Sequence, residues 1–233
     1  MGRVLQHKNV PATLYNVGMR LFSFRACVVV LCLTLLATLL LAKSFVRPVA
    51  KPAINYPAHD FHRDEKVAIA ADPYDTAEKA QLFTTNFKQN GFLPVFFVVT
   101  NDGDQPVSIS RMQVTLITAH RSKLTPITPE DLYRRLGNPQ ARTGPNPLPI
   151  PRKTVKSGIS KKEMAEIEDS QFAARAVEPH STQSGFLFFD IGDIDSPLAG
   201  ANMDIDGVAD AKGNELLYFE IPMDKYLNAP ANP

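Results

Sequence analysis

The chain has 233 residues, with 25 Lys and Arg against 24 Asp and Glu, 14 Phe, no Trp and two Cys. The even charge balance hides a split: no acid precedes Asp60, and seven of the 25 cations precede residue 52, so residues 52–233 carry 18 cations against 24 acids, a balance of −6. An acidic body argues against nucleic-acid binding. With its cysteines at 27 and 32, the chain beyond them has neither a disulfide framework nor a thiolate metal site.

Residues 1–25 form a head with Arg3, Lys8, Arg20 and Arg25, followed by the unbroken apolar run 26–42, ACVVVLCLTLLATLLLA. Basic head and apolar core together predict export, with the run as one transmembrane signal-anchor helix. At 1.5 Å per residue it spans roughly 25 Å, and flanking Arg25 and Lys43 reach the headgroups of a ~30 Å core by laying their stems along the lipid. Cleavage after Ala42 puts Leu40 at the −3 position, and cleavage after Ser44 puts Ala42 there. Neither is an Ala-x-Ala site, so a retained anchor is expected, with secretion after cleavage as the alternative. Four cations before the run and Lys43, Arg47 and Lys51 after it put the N-terminus in the cytoplasm and the C-terminal domain outside, in the periplasm.

Residues 43–65, with Pro48, Pro52 and Pro57, read as a stalk, and residues 66–233 as the folded domain. Residues 66–70 (KVAIA) predict a first strand. A helix follows, capped by Asp75, with Glu78 three residues on, Gly91 beyond its end and Ala80, Phe83 and Phe87 on one face. The run 92–100 (FLPVFFVVT) predicts a strand covered on both faces, and 101–104 (NDGD) a turn. In 107–119 the alternation slips phase near Arg111, which predicts a bulge or a corner where the strand changes sheet. Thr128-Pro129-Glu130-Asp131 opens a short helix with Leu132 and Leu136 inward and Gly137 at its end. A Pro-rich and helical insertion spans about 138–180, with Pro145, Pro147, Pro149 and Pro151 at alternate positions and a helix over 161–176. Strands at 185–191, 201–205 and 215–221 complete the chain, the last two joined at Lys212-Gly213-Asn214. Six or seven short strands with turns between them predict a mainly β protein, an antiparallel β-sandwich with short helices in its connections.

The stretches GFLPVFFVVTNDGDQPVSISRMQVTLI, TPEDLYRRL, GFLFFDI and GNELLYFEIPMDKYL resemble a loosely defined, functionally uncharacterised group of bacterial exported proteins. These have one membrane segment and an immunoglobulin-like domain. The resemblance covers roughly residues 66–136 and 183–227 and implies an immunoglobulin-like sandwich outside the cytoplasm. It carries structural motifs and no catalytic residue.

Two acidic groups have calcium-like features. Asp204, Asp206 and Glu215 match the first, third and twelfth positions of an EF-hand loop, but Val208 and Ala209 stand where an oxygen ligand and a Gly belong, so a hairpin with water-facing acids is the simpler reading. Asp190, Asp193 and Asp195 cluster after a strand, where solvated loop acids are commoner than ion sites. His59 and His62 read as a solvated pair in the stalk. Arg152, Lys153, Lys156, Lys161 and Lys162 form a basic patch directly after the alternating prolines, with no acid between them. It reads as a solvated loop and is also the best sequence-level candidate for contact with anionic lipid headgroups, cell-wall polymers or an acidic partner. No Gly-rich phosphate loop, His-Glu-x-x-His or Gly-x-Ser-x-Gly occurs. The sequence therefore predicts a non-enzymatic binding or scaffold module tethered through residues 26–42, without cofactor, serving a protein partner as an accessory subunit of an envelope complex. The alternative is a calcium- or small-ligand-binding exported domain, and an exported hydrolase ranks below both.

Overall fold

A computed structural model describes residues 45–137, 158–192 and 194–230. The apolar run 26–42 and residues 138–157 lie outside these. Among the described residues no helix is long and apolar enough to cross a membrane.

The described chain is mainly β, with antiparallel sheets and short helices. Strands β1 (His59–His62), β2 (Val67–Pro73), β3 (Phe92–Asn101) and β8 (Ser181–Asp190) form one four-stranded sheet in the order β1-β2-β3-β8. Strands β5 (Gln113–Ile117), β6 (Lys123–Leu124), β9 (Asn202–Asp206) and β10 (Phe219–Pro222) form a second, ordered β10-β9-β5-β6. A two-stranded piece joins β4 (Val107–Ser108) to β7 (Ala176–Val177). The phase slip at Arg111 marks a change of sheet: β4 pairs with β7, whereas β5 pairs with β9 and β6.

The period-two pattern explains how the sheets meet. Val67, Ile69, Leu93, Val95, Phe97 and Val99 point from the first sheet into a core shared with Val114, Leu116, Met203, Ile205, Phe219 and Ile221 of the second. Residues of opposite parity in the first sheet, Ala68, Ala70, Phe92, Phe96, Val98, Phe186 and Phe188, form a separate outer core. Every residue of β3 is buried, as its continuous apolar run predicts. Pro94 sits in this central strand at small cost. Its carbonyl accepts from Tyr74 N–H at 2.9 Å, so its missing donor faces the β2 side just where β2 has ended at Pro73.

Four segments cover the outer core. Helices α1 (Ala77–Ala80), α2 (Pro129–Gly137) and α3 (Lys161–Ser170) connect strands, and α4 (Asp224–Leu227) follows β10. Of these, α2 and α3 bury Leu132 and Ile167 in the outer core, and the turn after α1 adds Phe83 and Phe87. The segment before β1 supplies Phe45, Ala50, Ala53 and Tyr56. The α3 start is a full capping box: Ser160 Oγ accepts from Glu163 N–H at 3.2 Å, and Glu163 Oε2 accepts from Ser160 N–H at 2.8 Å.

Several readings from sequence differ from the structure. The helix expected over 161–176 ends at Ser170, with β7 following at Ala176–Val177, and the last strand, expected over 215–221, is Phe219–Pro222. The helix expected after Asp75 is only one turn, capped by Thr76, followed by a turn and a 3-10 segment Lys88–Asn90 that ends on Gly91 at φ +78°. Thr84, Thr85 and Asn86 interrupt it, and Thr84 N–H bonds Glu166 Oε1 at 2.6 Å instead of a helical carbonyl. Residues 45–65, read as stalk, belong to the folded unit: Ala53 and Ala58 are fully buried and β1 pairs with β2. Small buried residues between prolines satisfy linker composition and packing alike. His59 and His62 are accordingly strand residues. His62 stacks on Phe219 at 3.8 Å and lies 3.5 Å from Asp60, while His59 Nδ1 lies 2.6 Å from Tyr56 O.

The outer edge of β8 is closed residue by residue. Its carbonyls at 184, 186 and 188 accept from Arg47 Nη1 (3.4 Å), Phe172 N–H (3.1 Å) and Ile127 N–H (2.8 Å). No run of free acceptors remains there to template a foreign strand. The crossing at 171–172 is so close that a Cβ on Gly185 would fall 2.5 Å from Gln171 O and from Phe172 N and Cα, which accounts for a glycine inside a strand.

Candidate functional site

Four chain segments converge at one end of the first sheet: Tyr74 and Asp75 beyond β2, residues 91–93 opening β3, the loop after β8, and Leu227 ending α4. They enclose a cleft of about 410 Å³. Its floor is apolar, made by buried Phe92, Leu93 and Leu198, and Ile191 N–H donates to Gly91 O at 2.8 Å to tie the β8 loop to the start of β3. Its rim carries Asp75, Lys88, Asp195 and Ser196.

A polar network stiffens one wall. Lys79 Nζ lies 2.6 Å from Asp72 Oδ1, donates to Pro73 O at 3.1 Å and sits 4.5 Å from the centre of the Tyr226 ring. Tyr226 Oη donates to Asp75 Oδ1 at 2.6 Å, and Lys88 Nζ donates to Asp75 O at 3.2 Å. Burial pushes the Asp72 carboxyl above the ordinary aspartate value, with the Lys79 ammonium opposing it. Burial also holds the Tyr74 and Tyr226 hydroxyls far above the ordinary tyrosine value; for Tyr226 the bond to Asp75 adds to this. Both therefore stay protonated, and Tyr226 remains a donor that fixes the Asp75 carboxylate. An apolar floor with two carboxylates and a lysine at the rim suits a small molecule with an apolar body and a polar end.

The sequence candidates are dispersed. Arg152, Lys153, Lys156 and Asp193 lie outside the described residues. Lys161 and Lys162 are the exposed first two residues of α3. Asp190 forms a salt bridge with Arg135 and accepts from Gly192 N–H at 3.2 Å, whereas Asp195 stands on the cleft rim. Asp204 faces Thr115 and Glu220 across the ladders, Asp206 faces Gln113, and Glu215 Oε1 accepts from Gly207 N–H at 3.1 Å. Among the described residues no group of three or more His, Cys, Asp or Glu is placed to hold a metal ion.

Two features escaped sequence reasoning. The bond from Tyr226 to Asp75 joins residues 151 positions apart, and nothing local announces it. Leu217 and Tyr218, in the long connection between β9 and β10, are 73% and 63% exposed. Here a signal existed: residues 216–219 (LLYF) are four apolar residues in a row, and an alternating strand buries only every second one.

No protein-family model, curated protein or solved structure matches the chain.

Proposed function

We propose that the chain is a membrane-tethered binding or scaffold module of the cell envelope, held by residues 26–42 with its N-terminus in the cytoplasm and an immunoglobulin-like sandwich outside. The strand pairings support the sandwich. With β2 as strand A, the sheets read A-B-E (β2, β3, β8) and G-F-C-C′ (β10, β9, β5, β6), the pairing scheme of that architecture, with β1 added at one edge. The hallmark Trp and inter-sheet disulfide of antibody domains have no counterpart, since Trp is absent and both Cys precede residue 33.

The observation that carries the binding role is the Leu217–Tyr218 pair. It lies on the loop between strands F and G, one of the loops that such domains use for recognition. An exposed tyrosine is an anchor type that buries well against a partner, and the leucine beside it adds apolar area to the contact. Affinity purification of the tagged full chain from gently solubilised membranes tests this. A stoichiometric envelope protein should co-purify with the wild type and be lost from the Leu217→Ala, Tyr218→Ala double variant. A partner retained by the double variant removes the loop from the reading, and no stoichiometric partner at all sinks the scaffold role.

The cleft favours a second reading, a small-ligand-binding exported domain, because it joins an apolar floor to a rim with Asp75, Lys88 and Asp195. For the calcium version, no group of three acids stands together among the described residues. Thermal melts with calcium, with a chelator and with a panel of small amines and acids decide it, since a ligand confined to the native state raises Tm.

A further inference from the structure

We infer that the segment 46–54 is a lipid-contacting face: Val46, Val49 and Ile54 rest in the headgroup layer of the bilayer that holds the apolar run. This rests on the membrane-tethered reading above and adds to it the surface that meets the lipid.

Six large hydrophobic residues are exposed among the described ones, and three of them, Val46 (69%), Val49 (92%) and Ile54 (47%), fall within nine consecutive positions. Single exposed apolar residues need no explanation, but this clustering does. The segment is not a loose tether whose side chains happen to be wet. Phe45 stacks on Phe83 at 5.7 Å, and Ala50, Ala53 and Tyr56 pack into the outer core. The Arg47 guanidinium donates to Asp169 O at 3.0 Å and to Ser184 O at 3.4 Å, which pins the backbone between these contacts. The residues turned outward are thus held outward by the fold.

Covalent reach allows this occupant, and the run of exposed apolar side chains favours it. Val46 is four residues from Ala42, the last residue of the apolar run, and Val49 seven. At no more than about 3.6 Å per residue they lie within roughly 14 and 25 Å of its end, in whatever direction residues 43–45 run. A headgroup layer of some 5–7 Å on each side of the hydrocarbon core lies inside that reach. Exposed Lys51, between Val49 and Ile54, supplies the cation that interfacial segments place beside phosphates.

The test uses the full chain in liposomes of phosphatidylethanolamine and phosphatidylglycerol. Cys27→Ala and Cys32→Ala clear the background, and single reporters are placed by Val46→Cys, Val49→Cys and, as an exposed control in the β9–β10 connection, Ala211→Cys. Each carries an environment-sensitive fluorophore, quenched either by lipid labelled near the headgroup or by aqueous iodide. The 46 and 49 reporters should be quenched several-fold more by the lipid, and less by iodide, than the 211 reporter. Equal iodide quenching at all three positions in a chain that resists carbonate extraction overturns the inference and leaves the anchor standing. Release by carbonate overturns the anchor, and the lipid face with it.

Discussion

The two faces of the β1-β2-β3-β8 sheet are buried by different means. Toward the second sheet, Val67, Ile69, Leu93, Val95 and Val99 meet a partner with the same two-residue period, and mostly aliphatic side chains suffice. Toward the outside, the cover consists of short helices, a 3-10 turn and an extended N-terminal segment, which share no period. That face is built from rings: Phe186 lies 4.8 Å from Tyr74, 4.9 Å from Phe83 and 5.1 Å from Phe96, and Phe83 lies 5.0 Å from Phe87. Large rings in edge and tilted contacts fill gaps that regular ridges cannot. An irregular lid thus depends on a few big side chains and a few fixed polar clasps, whereas the regular interface spreads its stability over many small contacts.

The largest expected effect tests this dependence on rings. Phe186→Ala should cost about 4 kcal/mol and Leu93→Ala about 3 kcal/mol in urea melts followed by circular dichroism. The sharper variant is Phe186→Leu, which keeps most of the apolar volume and loses the ring contacts. A cost below about 0.5 kcal/mol, the floor for one aromatic pair, would break the comparison. Next comes Gly185→Ala, where the new methyl meets backbone of the 171–172 crossing at 2.5 Å. It should cost about 3 kcal/mol, the upper end of overpacking, and spectra should show loss of the β8 edge pairing first.

The same contrast sets what was legible in the sequence. The inner face was readable because strand patterns are local: β3 follows from its continuous apolar run, and the corner at Arg111 from the one slip in the alternation of 107–119. The lid was readable only in its two longer helices, α2 and α3. Thr128-Pro129-Glu130-Asp131 announced α2, and α3 begins on the Ser160-x-x-Glu163 signature but ends at Ser170 rather than 176, where no Gly or Pro marks the stop in the sequence. The one-turn α1 and the packed segment 45–58 were not readable, because their conformations are set by distant partners: Glu166 for Thr84, and Asp169 and Ser184 for Arg47. The cleft was half legible. Asp195 was singled out as a loop acid, but the wall formed by Asp72, Lys79, Asp75 and Tyr226 is assembled by tertiary contact alone.

The polar clasps provide the third test. Arg47→Ala removes charged donors from Asp169 O, the C-terminal turn of α3, and from Ser184 O on the β8 edge. A loss of about 2 kcal/mol is expected, as for hydrogen bonds from charged groups. Arg47→Lys should recover only part of it, because a lysine lacks the planar fork that spans two carbonyls. Hydrogen exchange locates the damage: amides of α3 should open faster while those of β5 and β9 keep their protection. Equal acceleration in α3 and in β5 and β9 would mean that lid and inner core unfold together and would remove the distinction between them.

The smallest effect has a sign that pH reveals. Glu163 accepts from Ser160 Oγ at 2.7 Å, from Ser160 N–H at 2.8 Å and from Thr85 Oγ1 at 3.2 Å, and these bonds, led by the Ser160 hydroxyl, hold its carboxyl below the ordinary glutamate value of 4.5. The unfolded chain therefore takes up this proton at a higher pH than the folded one. The stabilisation is complete above 4.5 and is lost as pH falls through the lowered folded value. Ser160→Ala should accordingly cost about 1 kcal/mol at pH 7, the usual worth of an N-cap, and clearly less at pH 3, where Glu163 is protonated in the unfolded chain and its bonds to the cap count for less. An equal cost at both pH values would mean that the serine acts only as a neutral cap and that the carboxylate contributes nothing to holding α3 on the outer face.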